Sequence, residues 1–373
     1  MGHGGVERGT IEVASAIVAA GGRALVASAG GLNVKRLERV GAEHIEMPVG
    51  NKNPLAIMAN SGRIHALIQK EQVSLVHARS RAPAWAVKKA AKQSRVPFVT
   101  TYHGAYSESG FLKRKYNSVM ASGDRVIAIS TFIAALIERR YFVTGDRVTT
   151  IHRGADLTTF SPKAVTPGRM QLLLDRWRVP DDARIILMPG RLTRWKGQGV
   201  LLAAIARLKE LLAQSNIAVV FVGSDQGRSG YSNELQQQLE RLNLPPNQVV
   251  FAGHCDDIPA ALMLASVVVS ASIEPEAFGR TVVEASAMGK PVIAPNHGAA
   301  PEIIIHGQTG WLVPPNDPAA LAEALERSLA LSQDEMASIA NRAINRVQQH
   351  FSVERMCEET IQVYQELLTR KAA

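Results

Sequence analysis

The 373-residue sequence is poor in cysteine, in aromatic residues and in long apolar runs. Two cysteines, Cys255 and Cys357, are too few for a disulfide framework or a metal-ligand cluster. A reducing compartment, the cytoplasm, is therefore expected. No apolar run reaches the about 20 residues that a spanning helix needs. The opening Met-Gly-His-Gly-Gly lacks the pattern of a signal peptide. Low-complexity tracts and short-period repeats are absent. Aromatics make up 5% of the chain and are not interleaved with basic residues as in single-strand binders, so no nucleic-acid partner is expected.

What is present is a globular composition, with 46% hydrophobic and 20% charged residues, in a chain long enough for two domains. The net charge of +9 and the pI of about 9.7 favour anionic partners, such as phosphorylated substrates or an anionic membrane face. Helical and strand periodicities alternate along most of the chain. This implies α/β architecture with parallel sheets covered on both faces, and ligands beyond the carboxyl ends of the strands.

One stretch carries the most chemistry. After an apolar strand-like run at 265–271 comes Ser-Ile-Glu-Pro-Glu-Ala-Phe-Gly-Arg-Thr-Val-Val-Glu-Ala, with a helix opening near Gly279. A strand-loop-helix junction aims backbone N–H groups and a positive dipole end at one point, which suits a phosphate. Glu276 and Glu284 flank that junction, and ionised carboxylates only accept hydrogen bonds, so they suit sugar or ribose hydroxyls. Phosphate and polyol together suggest a nucleotide-sugar. The plain alternative is a helix-start acid and a solvated helical residue. Upstream, a strand at 184–188 ends in Pro189-Gly190-Arg191-Leu192-Thr193-Arg194-Trp195-Lys196-Gly197, whose Arg191 and Lys196 suit a diphosphate. It is not a Walker loop.

The strings Glu276-x-Phe278-Gly279, Glu284-Ala285, Met288-Gly289 and Pro291-Val292-Ile293 resemble the E-x7-E signature of family-4 glycosyltransferases. Gly-Arg-x5-Lys-Gly resembles the same family's diphosphate clamp. The segment His152-Arg153-Gly154-Ala155-Asp156…Phe160-Ser161-Pro162 is similar to the family's Asn-Gly-Val-Asp…Phe-x-Pro, with His-Arg in place of the commoner Pro-Asn. The resemblance implies a GT-B fold, with two Rossmann-like domains facing across a cleft. Its expected parts are an acceptor-side domain at 1–163, a nucleotide-sugar domain at 164–350, and a helix at 351–373 returning to the first domain. The irregular stretch 163–183 is expected to be the linker. The family places its glycine-rich loop after a first strand. None precedes Gly2 here, so that strand is expected to be missing, leaving two sheet edges open.

By the same resemblance, His103, Glu276, Arg191 and Lys196 are the catalytic candidates. His103 would lie near the reacting carbon, Glu276 would hold donor-sugar hydroxyls, and the two cations would hold the diphosphate. Gly4, Gly5, Gly190, His254, Phe278, Gly279, Arg280, Thr281 and Glu284 are the donor-binding candidates, with Glu284 on the ribose. His77, Arg79 and Lys115 are candidates for the acceptor side. No Asp-x-Asp pair is present, so neither a metal nor another cofactor is expected. The implied activity is retaining, hexosyl-type transfer from a UDP-sugar or GDP-sugar to a glycan or lipid-linked acceptor, as in lipopolysaccharide or other envelope glycan synthesis. A nucleotide-sugar epimerase and a non-catalytic binding protein of the same fold remain open, as does a nicotinamide-dependent oxidoreductase, for which Gly2-x-Gly4 is the only hint. The basic charge and an apolar Trp85 near the rim of the first domain suggest peripheral docking on the anionic inner face of the plasma membrane.

Overall fold

A computed structural model describes residues 4–107, 110–227, 229–244 and 248–372. Gly2 and His3 of the glycine-rich start lie outside the described residues. The chain folds as two compact units, Met1–Arg153 with Val353–Ala373, and Gly154–Ser352.

The first unit contains strands β1 (Leu25–Ser28), β2 (Glu43–Glu46), β3 (Val76–Ala78), β4 (Phe98–Tyr102), β5 (Arg125–Ala128) and β6 (Val148–Thr150). They form two parallel sheets, β1-β2 and β3-β4-β5-β6. Among the described residues β1 pairs only with β2, and β3 only with β4. Among the described residues β1 and β3 thus each leave one edge unpaired. The final helix, Val353–Ala372, belongs to this unit for a reason visible in its spacing. Met356, Val363 and Leu367 fall on one helical face and pack with Val13, Val99, Ile127 and Ile151.

The second unit contains β7 (Arg184–Pro189), β8 (Ile217–Val222), β9 (Val249–Gly253), β10 (Ala265–Val269), β11 (Val292–Pro295) and β12 (Trp311–Val313). They form one parallel sheet in the order β12-β11-β10-β7-β8-β9. All six residues of β8 are buried, because helices cover both faces and alternation is lost. From β7 the chain first builds outward through β8 and β9. It then returns to place β10 on the other side of β7. The loops leaving β7 and β10 therefore diverge, and such a switch point is where doubly wound sheets bind ligands.

Two expectations need correction. The boundary falls at Arg153/Gly154, ten residues before the expected 163, and the expected linker contains a helix, Pro167–Trp177. Its Pro at the first turn and its charged face suggested irregular chain, but Leu173, Leu174 and Trp177 are buried on one side. His77, an acceptor-side candidate read as following a strand at 73–76, lies within β3. Val73 is diverted to close the preceding helix. Its amide bonds to the Ile68 carbonyl (3.0 Å) after Gln72 in the left-handed region (φ 50°), so the strand starts later.

Truncating Met356 tests the packing of the last helix. Met356→Ala should lower unfolding free energy by about 2–5 kcal/mol in urea titration. An unchanged midpoint would show that the helix does not share the core of the first unit.

Candidate functional site

In the second unit the loops leaving β7 and β10 meet. The Ile273 amide donates to the Trp195 carbonyl (2.7 Å), tying the two loops together. Gly197 makes this approach feasible. Its φ is +78°, and a Cβ there would lie 1.9 Å from the Ala271 carbonyl oxygen. Only glycine fits that position. A third loop docks on the same segment. The His297 Nε2–H donates to the Ser272 carbonyl (2.9 Å), and the Ala299 amide donates to the Glu276 carbonyl (3.0 Å). Gly298 (φ +61°) permits this, since a Cβ there would lie 2.5 Å from the Glu276 carbonyl oxygen.

This framework brings Lys196 and Glu276 together. Lys196 Nζ lies 2.8 Å from Glu276 Oε1, and both side chains are mostly buried. The Ser272 hydroxyl donates to the same carboxylate oxygen. Trp195 lies beside the ammonium, 4.5 Å from Nζ to the ring centroid. Arg191 leaves the same loop and is exposed, while its carbonyl accepts from Gln198 Nε2 (2.9 Å), a fully buried side chain. Beyond Glu276, Gly279 (φ +86°) opens the helix Arg280–Ala287 without a side-chain cap. The positive end of that helix is thus not neutralised by its own cap. Within the helix, Arg280 Nε sits 3.7 Å from Glu284 Oε1. Thr281 is half-buried in the first turn, and Gly190 follows directly on β7, its Cα facing the stem of Lys196.

Two donor-side candidates are placed otherwise. The Phe278 ring is buried 6.2 Å from that of Phe351, so it anchors the junction in the core. His254 is exposed after β9 and bonds to Asp256 (2.9 Å). Among the described residues no other hydrogen bond holds its ring. Among the described residues, no three His, Cys, Asp or Glu side chains gather as a metal site.

The first unit holds a second polar cluster at the ends of its strands. Arg153, 8% exposed, donates from Nη1 to the Gly5 carbonyl (2.6 Å) and from Nη2 to His103 Nδ1 (2.7 Å). A guanidinium only donates, so Nδ1 must accept, and the His103 proton sits on Nε2. Burial, followed by the nearby Arg153 and Arg79 charges, pushes the His103 pKa well down and keeps the ring neutral. Its Nε2 is shielded from solvent and has no hydrogen-bond partner among the described residues. Arg79, Thr101, His103 and Arg153 line a cavity of about 10 Å³, room for one water. Gly4 caps and Gly5 begins the helix Gly5–Ala19 beside this cluster.

Of the acceptor-side candidates, His77 has both ring nitrogens committed, Nδ1 with the Tyr364 hydroxyl (2.6 Å) and Nε2 with Thr101 Oγ1 (2.7 Å). Burial is again the main cause of its strongly lowered pKa. It therefore braces β3 against β4 and the last helix, with neither ring nitrogen left for an acceptor. Arg79 is half-buried beside the first helix, where a Cβ on Gly9 would come within 2.9 Å of its Nη2. Lys115 is exposed on the helix Phe111–Asn117. The groups the sequence did not single out are Ser272, Trp195, Gln198 and Arg153. Only Arg153 left a signal, as the basic residue where the family carries Asn.

The two neutral histidines fix a pH dependence. In the unfolded chain they protonate near pH 6.5. Below that pH the unfolded state binds more protons, so stability is full above about pH 6.5 and falls as the pH drops through the folded values. Urea midpoints should decline across this window, and His103→Gln should flatten part of the slope. A wild-type midpoint constant down to about pH 5 would contradict the neutral assignment.

Residues 172–346 match the family described as "Glycosyl transferases group 1", and residues 3–159 match "Glycosyltransferase Family 4". A glycosyltransferase from Rickettsia africae ESF-5 of known crystal structure is 37% identical, with TM-score 0.90 over 98% of this chain and 95% of that one. The structure of Anabaena Alr3699/HepE in complex with UDP-glucose is 25% identical, with TM-score 0.82 over 98% and 96% of the two chains. The putative colanic acid biosynthesis glycosyltransferase WcaL of Escherichia coli (strain K12) is 28% identical over 68% of this chain and 59% of that protein. The chain belongs to the group 1/family 4 glycosyltransferases and has their GT-B fold of two Rossmann-like units.

Proposed function

We propose that this glycosyltransferase moves a hexosyl-type sugar from a UDP-sugar to a lipid-linked glycan acceptor of the cell envelope, with retained anomeric configuration and no obligatory metal. One observation carries the proposal: the 2.8 Å contact between Lys196 and Glu276 at the switch point of the nucleotide-sugar unit. The UDP-glucose bound by Anabaena Alr3699/HepE favours UDP over GDP. The colanic acid assignment of WcaL favours an envelope acceptor.

Local charge supports a functional reading of the contact. Lys196 and Glu276 cancel each other, as do Arg280 and Glu284. Arg191 and the helix terminus, worth roughly half a charge, are left in excess. A departing diphosphate carries more negative charge than that surplus neutralises. Lys196 can turn from Glu276 to the phosphate and make up the difference, leaving the Glu276 carboxylate to accept from sugar hydroxyls. In transfer, the bond from the anomeric carbon to the β-phosphate oxygen breaks. The acceptor oxygen bonds to that carbon on the same face and passes its proton to the departing phosphate oxygen, and the nucleoside diphosphate leaves. Glu284 is assigned to the ribose. In the first unit, the fixed Nε2–H of the neutral His103 is assigned as a hydrogen-bond donor to substrate.

Turnover is the test. Glu276→Gln, Lys196→Ala and Arg191→Ala should each slow nucleotide-sugar consumption by about 10²–10³-fold with unchanged circular dichroism. Chelator should leave the wild-type rate unaltered. Mass spectrometry of products from UDP-sugars and GDP-sugars would identify the donor. Near-wild-type turnover in all three variants would overturn the site, and loss of turnover in chelator would overturn metal independence.

A further inference from the structure

Two segments of the first unit present apolar side chains to solvent beside basic ones. On the helix Phe111–Asn117, Phe111 and Leu112 are 76% and 79% exposed, next to the exposed Lys113, Arg114 and Lys115. Phe142, 82% exposed, ends the helix Thr131–Tyr141 just after Arg139 and Arg140. The segments adjoin, because the Arg114 guanidinium donates to the Arg140 carbonyl. Arg140 Nη1 in turn donates to the Tyr106 carbonyl (2.9 Å).

Folding does not account for these exposed side chains. Phe142 lies in the left-handed region (φ +56°), which suits glycine and strains a bulky residue. An exposed phenyl ring recovers none of that cost by burial. The exposed helix is also held from beneath, so its apolar side chains are not free to fold inward. The Trp85 indole N–H donates to the Tyr116 carbonyl (3.1 Å), and Arg81 donates to Asn117 Oδ1 (2.8 Å) while lying 4.4 Å over the Tyr106 ring. Trp85, expected at the rim as a membrane contact, is thus a half-buried prop for this helix. Charge gives the patch its partner. The two helices carry five basic side chains, Lys113, Arg114, Lys115, Arg139 and Arg140, against one acidic, Glu138.

We propose that this patch docks the protein on an anionic lipid bilayer. Phe111, Leu112 and Phe142 enter the interfacial layer, and the basic side chains meet the headgroup phosphates. Projecting apolar tips set among cations fit a soft anionic surface. The inference adds a docking site to the proposed transfer onto a lipid-linked acceptor and rests on that reading only for its purpose.

The test is co-sedimentation of the full chain with phosphatidylcholine vesicles with and without phosphatidylglycerol. Wild type should sediment with the anionic vesicles alone, and high salt should release it. The triple variant Phe111→Ser/Leu112→Ser/Phe142→Ser should lose about ten-fold or more in partitioning. The charge variant Lys113→Glu/Arg139→Glu should lose a comparable amount. Both should keep the wild-type melting temperature and UDP affinity. No sedimentation with anionic vesicles, or equal sedimentation of the triple variant, would overturn the proposal. So would conversion of a wild-type dimer to a monomer by the triple variant with vesicle binding unchanged, which would make the patch a contact between copies. UDP affinity without vesicle binding would sink the docking surface alone, and vesicle binding without UDP affinity would sink the transferase site alone.

Discussion

The second unit is organised around the meeting of an ammonium and a carboxylate where its sheet changes direction. Lys196 comes from the loop after β7, and Glu276 from the loop after β10. They meet because Gly197 lets one backbone rest on the carbonyl of Ala271, with no space for a side chain. Gly298 does the same for a third loop against Glu276. Three connections are thus pinned by backbone contacts, and the charged side chains inherit their positions from them. With the backbone already in place, meeting developing negative charge needs only a turn of the Lys196 side chain away from Glu276, so the remaining dipoles and charges act with little further reorganisation.

The first unit sets its chemistry through a different residue. Arg153 closes the strand-rich part of that unit and reaches both Gly5 and His103. Its guanidinium dictates which imidazole nitrogen carries the proton, and burial keeps the ring neutral. The result is a directed donor at Nε2. Arg79 shares the cavity, while His77 is consumed by structural bonds to Tyr364 and Thr101. The last helix supplies Tyr364 and much of the surrounding packing, which links the end of the chain to the polar cluster near its beginning.

The parts legible in the sequence were those fixed by local pattern. Alternating strand and helix periods gave the α/β class, and the strings around Lys196 and Glu276 located a pair that does meet. What escaped depends on long-range packing. Phe278 sits inside a signature string, yet its ring is spent on Phe351. His77 follows an apolar run, but capping of the preceding helix draws Val73 away and pulls the histidine into the strand. The helix Pro167–Trp177 hides behind a polar face, and its buried Leu173, Leu174 and Trp177 become visible only once a core exists beside them. Trp85 illustrates the same limit, since an apolar residue read as a surface contact turns out to hold up a neighbouring helix.

Nucleotide discrimination tests the ammonium at the switch point most directly. Titration calorimetry of UDP and of uridine, on wild type and on Lys196→Met, separates the diphosphate from the nucleoside. Wild type should bind UDP at least about ten-fold tighter than uridine, and most of that preference should vanish in Lys196→Met while uridine affinity stays the same. An undiminished preference for UDP in Lys196→Met would contradict the assignment of Lys196 to the diphosphate.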